Sequence, residues 1–261
     1  ASTREFLNSL SAALISFLFI FTILVLVFAP IFIFIFAPGF YFDPLKKDLS
    51  INILRIMFPY LALISLVAFA GGIQNSHKQF TIPAFTPVIF NLSLIIAAIS
   101  IAPRYEIPIY ALAWSVFLAG LLQLLLQILP LWRINRLPVP KFNLNNEGLK
   151  KFLRLIIPAI LAGGIIQINL LVDTIFASLL ETGSPTWLYV SDRLIQFPMG
   201  IFAIAIGTIL LPTLSKYDLG YEKDKFINSL QKGQKFVLYI GVPCLIGLFF
   251  CAEDLVSTIF Y

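Results

Sequence analysis

The 261-residue chain is 59% hydrophobic and 12% charged, whereas soluble domains run at roughly 45–50% and about 25%. A chain of this size buries only about three-quarters of its surface, so this composition excludes a water-soluble globule. Net charge is +5, and the single histidine, two cysteines and absence of CxxC, HExxH, GxGxxG or P-loop patterns exclude a multi-histidine metal centre, a disulfide framework and a nucleotide-binding enzyme.

A bilayer core of about 30 Å calls for about 20 apolar residues per helix. Seven runs bounded by charge, Pro or Gly meet this, at residues 12–36, 53–70, 82–101, 107–131, 155–180, 187–211 and 236–252. They predict an all-α, polytopic membrane bundle of seven transmembrane helices. The first run is too long for a signal-peptide core of about 7–15 residues. The chain opens without methionine, with Arg4 and Glu5 leading straight into a span, and stops at Tyr261 without a closing loop. It is therefore expected to be part of something longer.

The longest connection, 132–154, divides the chain into a four-helix segment, 1–131, and a three-helix segment, 155–261. Within it Leu149, Phe152 and Leu153 alternate with Lys150, Lys151 and Arg154 at helical spacing, which suits a short amphipathic helix in the membrane interface. Arg4, Lys78, six basic residues from Arg133 to Arg154 and five from Lys216 to Lys235 fall on one side. The alternate loops hold only Lys46, Lys47 and Arg104. The positive-inside rule puts the N-terminus and the 132–154 linker in the cytoplasm.

Ionisable groups at membrane depth cost at least about 2.5–3.5 kcal/mol on insertion scales, so each needs a partner, a wet cavity or a task. In the fifth run Asn169 and Asp173 share one face, with Gln167, Thr174 and Ser178 nearly opposite. Asp173 is either neutralised in a packed interface or part of a cation or proton site. In the sixth run Asp192, Arg193, Gln196, Gly200, Ala203 and Gly207 fall within about 100° on an α-helical wheel. Pro198 follows and frees a backbone carbonyl. Asp192 and Arg193 either neutralise each other or serve different partners; an inward Arg193 offers planar donors suited to phosphate.

The remaining polar positions read more plainly. Arg55 is expected to reach lipid headgroups; Asn91, Gln123 and Gln127 to join helices; and His77 with Lys78 to form a solvated turn. Glu253 and Asp254 should end the seventh span at the interface. Pro59, Pro83, Pro87, Pro158, Pro198 and Pro243 interrupt five runs, as in transporters built from broken helices.

Two stretches, RIMFPYLALISLVAFAGGIQNSHKQFTIPAFTPVIFNLSLI from Arg55 to Ile95 and LLVDTIFASLLETGSPTWLYVSDRLIQFPMGIFAIAIGTILLPTLSK from Leu170 to Lys216, with APGF at Ala37–Phe40, resemble the MurJ lipid II flippase family of the multidrug/oligosaccharidyl-lipid/polysaccharide exporter superfamily. The resemblance implies a two-lobe exporter fold in the bacterial inner membrane, of which the seven runs match the third to ninth helices. It implies a transporter, not an enzyme, that moves the pyrophosphate-sugar-peptide head of lipid II to the outer leaflet by alternating access. Partners would be lipid II and membrane lipids, with no nucleic acid. The candidate substrate-binding residues are Arg193, Asp192, Gln196 and Asn169. The resemblance makes Asp173 a candidate sodium ligand, and sodium the one ion implied. With nearly half of that fold outside it, the chain is not expected to transport alone. The alternatives are a drug or polysaccharide-lipid exporter of the same superfamily, or a membrane-embedded enzyme of lipid-linked sugar metabolism. The enzyme would want the carboxylate or histidine cluster that is missing here.

Overall fold

The computed structural model describes residues 3–143, 146–215, 217 and 222–260, without the side chains of residues 162, 165, 166, 203–205, 209 and 211. Lys216, Tyr261 and the Ala203 side chain, which entered the reading of the sequence, lie outside this description. Among the described residues all regular structure is helical. Proline opens many of these helices, because its missing N–H falls where a first turn has none to satisfy. It stands in the first turn of α2 (Ala29–Phe36), α3 (Pro38–Tyr41), α4 (Pro44–Met57), α5 (Pro59–Ser76) and α9 (Ser184–Pro198). The first predicted run is thus α1 (Thr3–Val27) followed by α2, and the second is α4 followed by α5.

The next runs are α6 (Thr81–Ile96), which widens into a π-turn at Ala97–Ile101, and α7 (Ile109–Arg133). After them come α8 (Glu147–Leu179) and α9, continued through a second π-turn, Met199–Ala203, into α10 (Ile204–Leu214). α11 (Lys223–Phe250) and the short α12 (Ala252–Phe260) complete the chain. Six of these stretches are long and apolar enough to cross a membrane, and the remaining predicted span lies within the 33-residue α8. Glu253 and Asp254 open α12 instead of ending the span before it, where acidic side chains favour a helix N-terminus.

The chain forms two compact units, Ala1–Leu179 and Leu180–Tyr261. The segment 132–154 lies within the first. In that unit α7 packs against both α5 and α6. Its buried Ala111, Ala113 and Ala119 let backbones approach, as small residues do in membrane bundles. A Cβ at Gly120 would stand 2.7 Å from the Tyr60 ring. Gln74, Gln123 and Gln127 are at most 2% exposed. Gln74 Nε2 donates to Gln127 Oε1, Gln127 Nε2 to Thr86 Oγ1 at 2.9 Å, and Gln123 Nε2 to the Thr86 carbonyl at 3.0 Å. Three helices are thereby joined at the wall of a cavity of about 470 Å³. Gln123 and Gln127 join helices as expected, while Gln74 is an additional member.

Two expectations are extended. Arg55 does not simply reach for headgroups: its Nε donates to the Leu26 carbonyl at 3.1 Å. In an unbroken helix that carbonyl would accept from residue 30, which is proline. His77 is exposed but not merely solvated, since Arg136 Nε lies 3.3 Å from its Nε2 and the Ile73 carbonyl 2.9 Å from its Nδ1. In the second unit α10 meets α11 where a Cβ at Gly233 would stand 2.5 Å from Leu210 Cδ2. Outward faces of both units carry exposed Phe, Leu and Ile side chains, the surface of a multi-pass membrane protein.

Candidate functional site

Two helices carry the predicted site residues, α8 in the first unit and α9 in the second. α8 begins at Glu147 because Asn146 caps it, its Oδ1 accepting from the Leu149 backbone N–H at 3.2 Å. The amphipathic stretch around Leu149 is therefore the opening of α8, with no breaker between Arg154 and the span, and not the separate interface helix expected. The segment before it is tied to α1: Asn8 Oδ1 accepts from Val139 N at 2.9 Å and the Asn8 carbonyl from Lys141 N at 3.2 Å.

Farther along α8, Thr174 Oγ1 donates to the Leu170 carbonyl on its own helix at 2.8 Å, and Gln167 is exposed. Ser178 is buried and accepts from Gly39 N at 3.2 Å. A Cβ on Gly39 would fall 1.6 Å from the Ser178 carbonyl oxygen, so the APGF turn fits this end of α8 only with glycine. Asn169 and Asp173 lie one turn apart and exposed. Together they offer an amide oxygen and a carboxylate, hard-cation donors but only two residues of the set a sodium ion would need. No group of three or more His, Cys, Asp or Glu side chains gathers among the described residues.

α9 starts beyond Gly183, whose φ of +112° is a backbone state that side-chain-bearing residues rarely adopt. Ser184 and Pro185 follow as its first turn. On one side of this helix Arg193 is held twice. Its Cζ lies 4.8 Å from the centre of the Tyr189 ring, one turn earlier, and its Nη1 donates to Gln196 Oε1 at 3.0 Å. Asp192 is half-buried and does not pair with Arg193; the ion pairs shown are Lys46–Asp43 and Lys225–Glu222. Of the two alternatives left open by the sequence, different orientations for these neighbours hold.

The polar face predicted on α9 ends at Gln196. The π-turn Met199–Ala203 takes one residue more per turn, which slips the wheel by ~100°. Gly207 beyond it therefore no longer shares a face with Arg193. The cavity nearby, about 760 Å³ between Ile195, Met199, Phe202 and Ile206 on one side and Val237 and Leu245 of α11 on the other, is apolar.

Sequence reasoning placed Arg193 and Gln196 on one face, and the structure brings them into contact. It missed Tyr189, for which the only signal was the i, i+4 spacing to Arg193. Chemically, Arg193 is a permanent cation whose Nε and Nη2 hydrogens have no protein partner among the described residues, the donor geometry that binds an oxyanion through two parallel hydrogen bonds.

Known proteins resemble the chain along nearly its whole length. The family model "Lipid II flippase MurJ" matches residues 1–261. A "Probable lipid II flippase MurJ" of Haemophilus influenzae is 38% identical over 271 residues, covering 99% of this chain and 53% of the relative. One of Buchnera aphidicola is 41% identical over 257 residues, covering 98% and 50%. The "Lipid II flippase MurJ" of Burkholderia cenocepacia is 34% identical over 263 residues, covering 99% and 51%. The chain spans about half the length of the curated relatives it matches. A solved structure titled "Lipid II flippase MurJ, inward closed conformation" superposes with a TM-score of 0.80 at 24% identity, over 98% of this chain and 52% of that one, and so shares the fold.

Proposed function

The chain belongs to the MurJ lipid II flippase family, and we propose from this premise that it works in flipping lipid II, carrying the diphosphate-bearing headgroup from the cytoplasmic to the outer leaflet. The observation that supports this reading is Arg193. A guanidinium in a membrane-spanning helix costs at least about 2.5–3.5 kcal/mol, and its second neighbour Gln196 is neutral, so the charge is not cancelled within α9. A diphosphate needs such a charge, because its own desolvation is offset only by a paired cation with well-placed donors.

Asp192, half-buried one residue earlier and differently oriented, would meet a hydrogen-bond-donating part of the same headgroup and not its phosphates. Asp173 on α8 would supply a carboxylate oxygen to a sodium ion that couples the cargo to a gradient, and Asn169, one turn away, would face the headgroup. Basic loops hold the N-terminus and the segment 132–154 in the cytoplasm. The role is transport without a bond made or broken.

In a protein that carries the whole two-lobe fold, replacing Arg193 with Ala is expected to abolish headgroup translocation, and Arg193→Lys to retain part of it, since the charge remains but the fork is lost. Normal translocation by Arg193→Ala would overturn the reading. Sodium linkage is tested separately: translocation that is indifferent to sodium, and equal in Asp173→Asn, removes it.

A further inference from the structure

We propose that the cavity between the turn joining α5 to α6 and the last turns of α7 is a binding site for one anionic phospholipid. It holds about 630 Å³ and is lined by Lys78 and Gln79 of the turn and by Arg133 at the end of α7. None of its lining residues is acidic, and no Asp or Glu occurs between Asp48 and Glu106 or between Glu106 and Glu147. The ion pairs shown among the described residues involve neither Lys78 nor Arg133. α6 opens at the same cavity with no side chain capping its first turn, which adds the positive end of a helix to the two cations. Charge of one sign gathered in one cavity calls for an anion from outside the chain.

Lys78 stands where lysine is a poor choice for the backbone. Gln79 N donates to the Gln74 carbonyl at 2.9 Å and Lys78 N to the Asn75 carbonyl at 3.0 Å, the pair of bonds that closes a helix by turning one residue into the left-handed region. That residue is Lys78, at φ +61°, where glycine or asparagine is usual. α7 ends in the same way, with Arg136 N bonded to the Leu131 carbonyl at 2.9 Å, Asn135 N to the Trp132 carbonyl at 3.0 Å, and asparagine at φ +56°. The turn after α7 thus keeps a favoured residue, whereas the turn after α5 accepts strain and places a long cationic side chain at the cavity.

The surroundings suit a lipid. Leu129 and Leu125 line the same cavity, about 6 and 12 Å farther into the span than Arg133 at 1.5 Å per residue. Together with Leu122 they are exposed along α7, where hydrocarbon would cover them. Trp132, exposed beside Arg133, is a residue type that collects at the membrane–water interface. The cations therefore stand at headgroup level with leucines at acyl-chain level below, on the side that the basic loops assign to the cytoplasm. Basic pockets between spans on that side recognise anionic headgroups. A lipid phosphate shared by Lys78 and Arg133 would tie the α5–α6 turn to α7, and its acyl chain would cover Leu129 and Leu125.

The test uses the full 261-residue chain with Trp114→Phe and Trp187→Phe, which leaves Trp132 as the one tryptophan. It is placed in bilayers of phosphatidylcholine with increasing phosphatidylglycerol, one or other lipid carrying brominated chains that quench tryptophan fluorescence. Phosphatidylglycerol should be preferred beside Trp132. Arg133→Gln should lower that preference about 5-fold, the weight of one basic group at an anionic membrane surface, and high salt should narrow it. Lys78→Gly should lower the preference as much without lowering the melting temperature in phosphatidylcholine alone, because glycine suits φ +61°. Lys141→Gln, at a basic residue outside the cavity, should leave the preference unchanged. No preference in the parent, or an unchanged preference in either Lys78→Gly or Arg133→Gln, would overturn the proposal. So would an equal loss in Lys141→Gln, since it would mark general surface attraction in place of a site. Should Arg133→Gln fold poorly by circular dichroism, Lys78→Gly carries the decision. Removal of the preference by soluble glycerol 3-phosphate would assign the cavity to a free phosphate and overturn the lipid.

Discussion

Gly39→Ala tests the close approach that fixes the APGF turn of the first unit to α8. The added Cβ would stand 1.6 Å from the Ser178 carbonyl oxygen, 2.4 Å from its carbon and 2.9 Å from Leu179 N. All three are backbone atoms, so no side chain can swing aside. Reaching even 3.0 Å requires an opening of roughly 1.4 Å, enough to stretch the 3.2 Å bond from Gly39 N to Ser178 Oγ beyond hydrogen-bonding range. Overpacking of this kind costs about 1–3 kcal/mol and the lost bond about 0.5–1.5 kcal/mol, together about 2–4 kcal/mol. At about 2–4 °C per kcal/mol for a chain of this size, the melting temperature should fall by about 5–15 °C. Thermal unfolding in detergent, followed by tryptophan fluorescence, reads this directly. Gly72→Ala is the matched control, because a Cβ there meets nothing within 4 Å and alanine is the better helix former. Ser178→Ala, which removes only the hydrogen bond, should fall between the two. If Gly39→Ala melts with Gly72→Ala, the close approach is not a constraint and the reasoning fails.

Three other changes probe the remaining joints. Arg55→Ala strands the Leu26 carbonyl and should cost about 1–3 kcal/mol; in a Pro30→Ala background, where an N–H is restored, the same change should cost little, and equal costs in the two backgrounds would remove the coupling. Gln127→Leu deprives Gln74 and Thr86 of partners at once and should destabilise by about 2–4 kcal/mol. Adding Gln74→Leu should then cost less than it does alone, a coupling read from a double-mutant cycle of melting temperatures. Asp43 caps α4, its Oδ1 accepting from Leu45 N and Lys46 N at 3.1 and 3.3 Å. The bond from the Lys46 backbone holds its carboxyl below the ordinary aspartate value. The cap is therefore intact above that ordinary value and is lost as pH falls through the lower folded one. Amide exchange at Leu45 and Lys46, corrected for intrinsic rates, should quicken in that window, and exchange that stays flat would refute the cap.

How much of this was legible beforehand depended on range in sequence. The spans followed from hydropathy alone, since burial in lipid requires only length and apolarity. Arg193 and Gln196 could be put together because they stand at positions i and i+3 of a regular helix. The wheel failed one turn later, because nothing in the residues Met199–Ala203 announces that the backbone will widen to a π-turn there. Arg55 misled for a different reason: its partner is a carbonyl 29 residues away, left unpaired by a proline in another helix. Gln74 was overlooked because a glutamine near a helix end reads as interfacial, and only the packing of α7 against α5 shows it to be buried. Ser178 was seen as polar, but its partner is a backbone N–H whose nearness depends on glycine having no side chain.

The π-turn after Pro198 also leaves a spare residue in a membrane helix. A one-residue deletion inside a regular span rotates all that follows by ~100° and ordinarily ruins its packing. Within Met199–Ala203 the same deletion would let the backbone relax to ordinary α-helix, keeping the Tyr189–Arg193–Gln196 cluster untouched. The shift of one residue and the loss of the slip would cancel, and Leu210 would stay in the notch at Gly233 that it now fills. The turn is thus a place where this span tolerates a change of length, with the charge presented before it and the packing against α11 after it both keeping their facing.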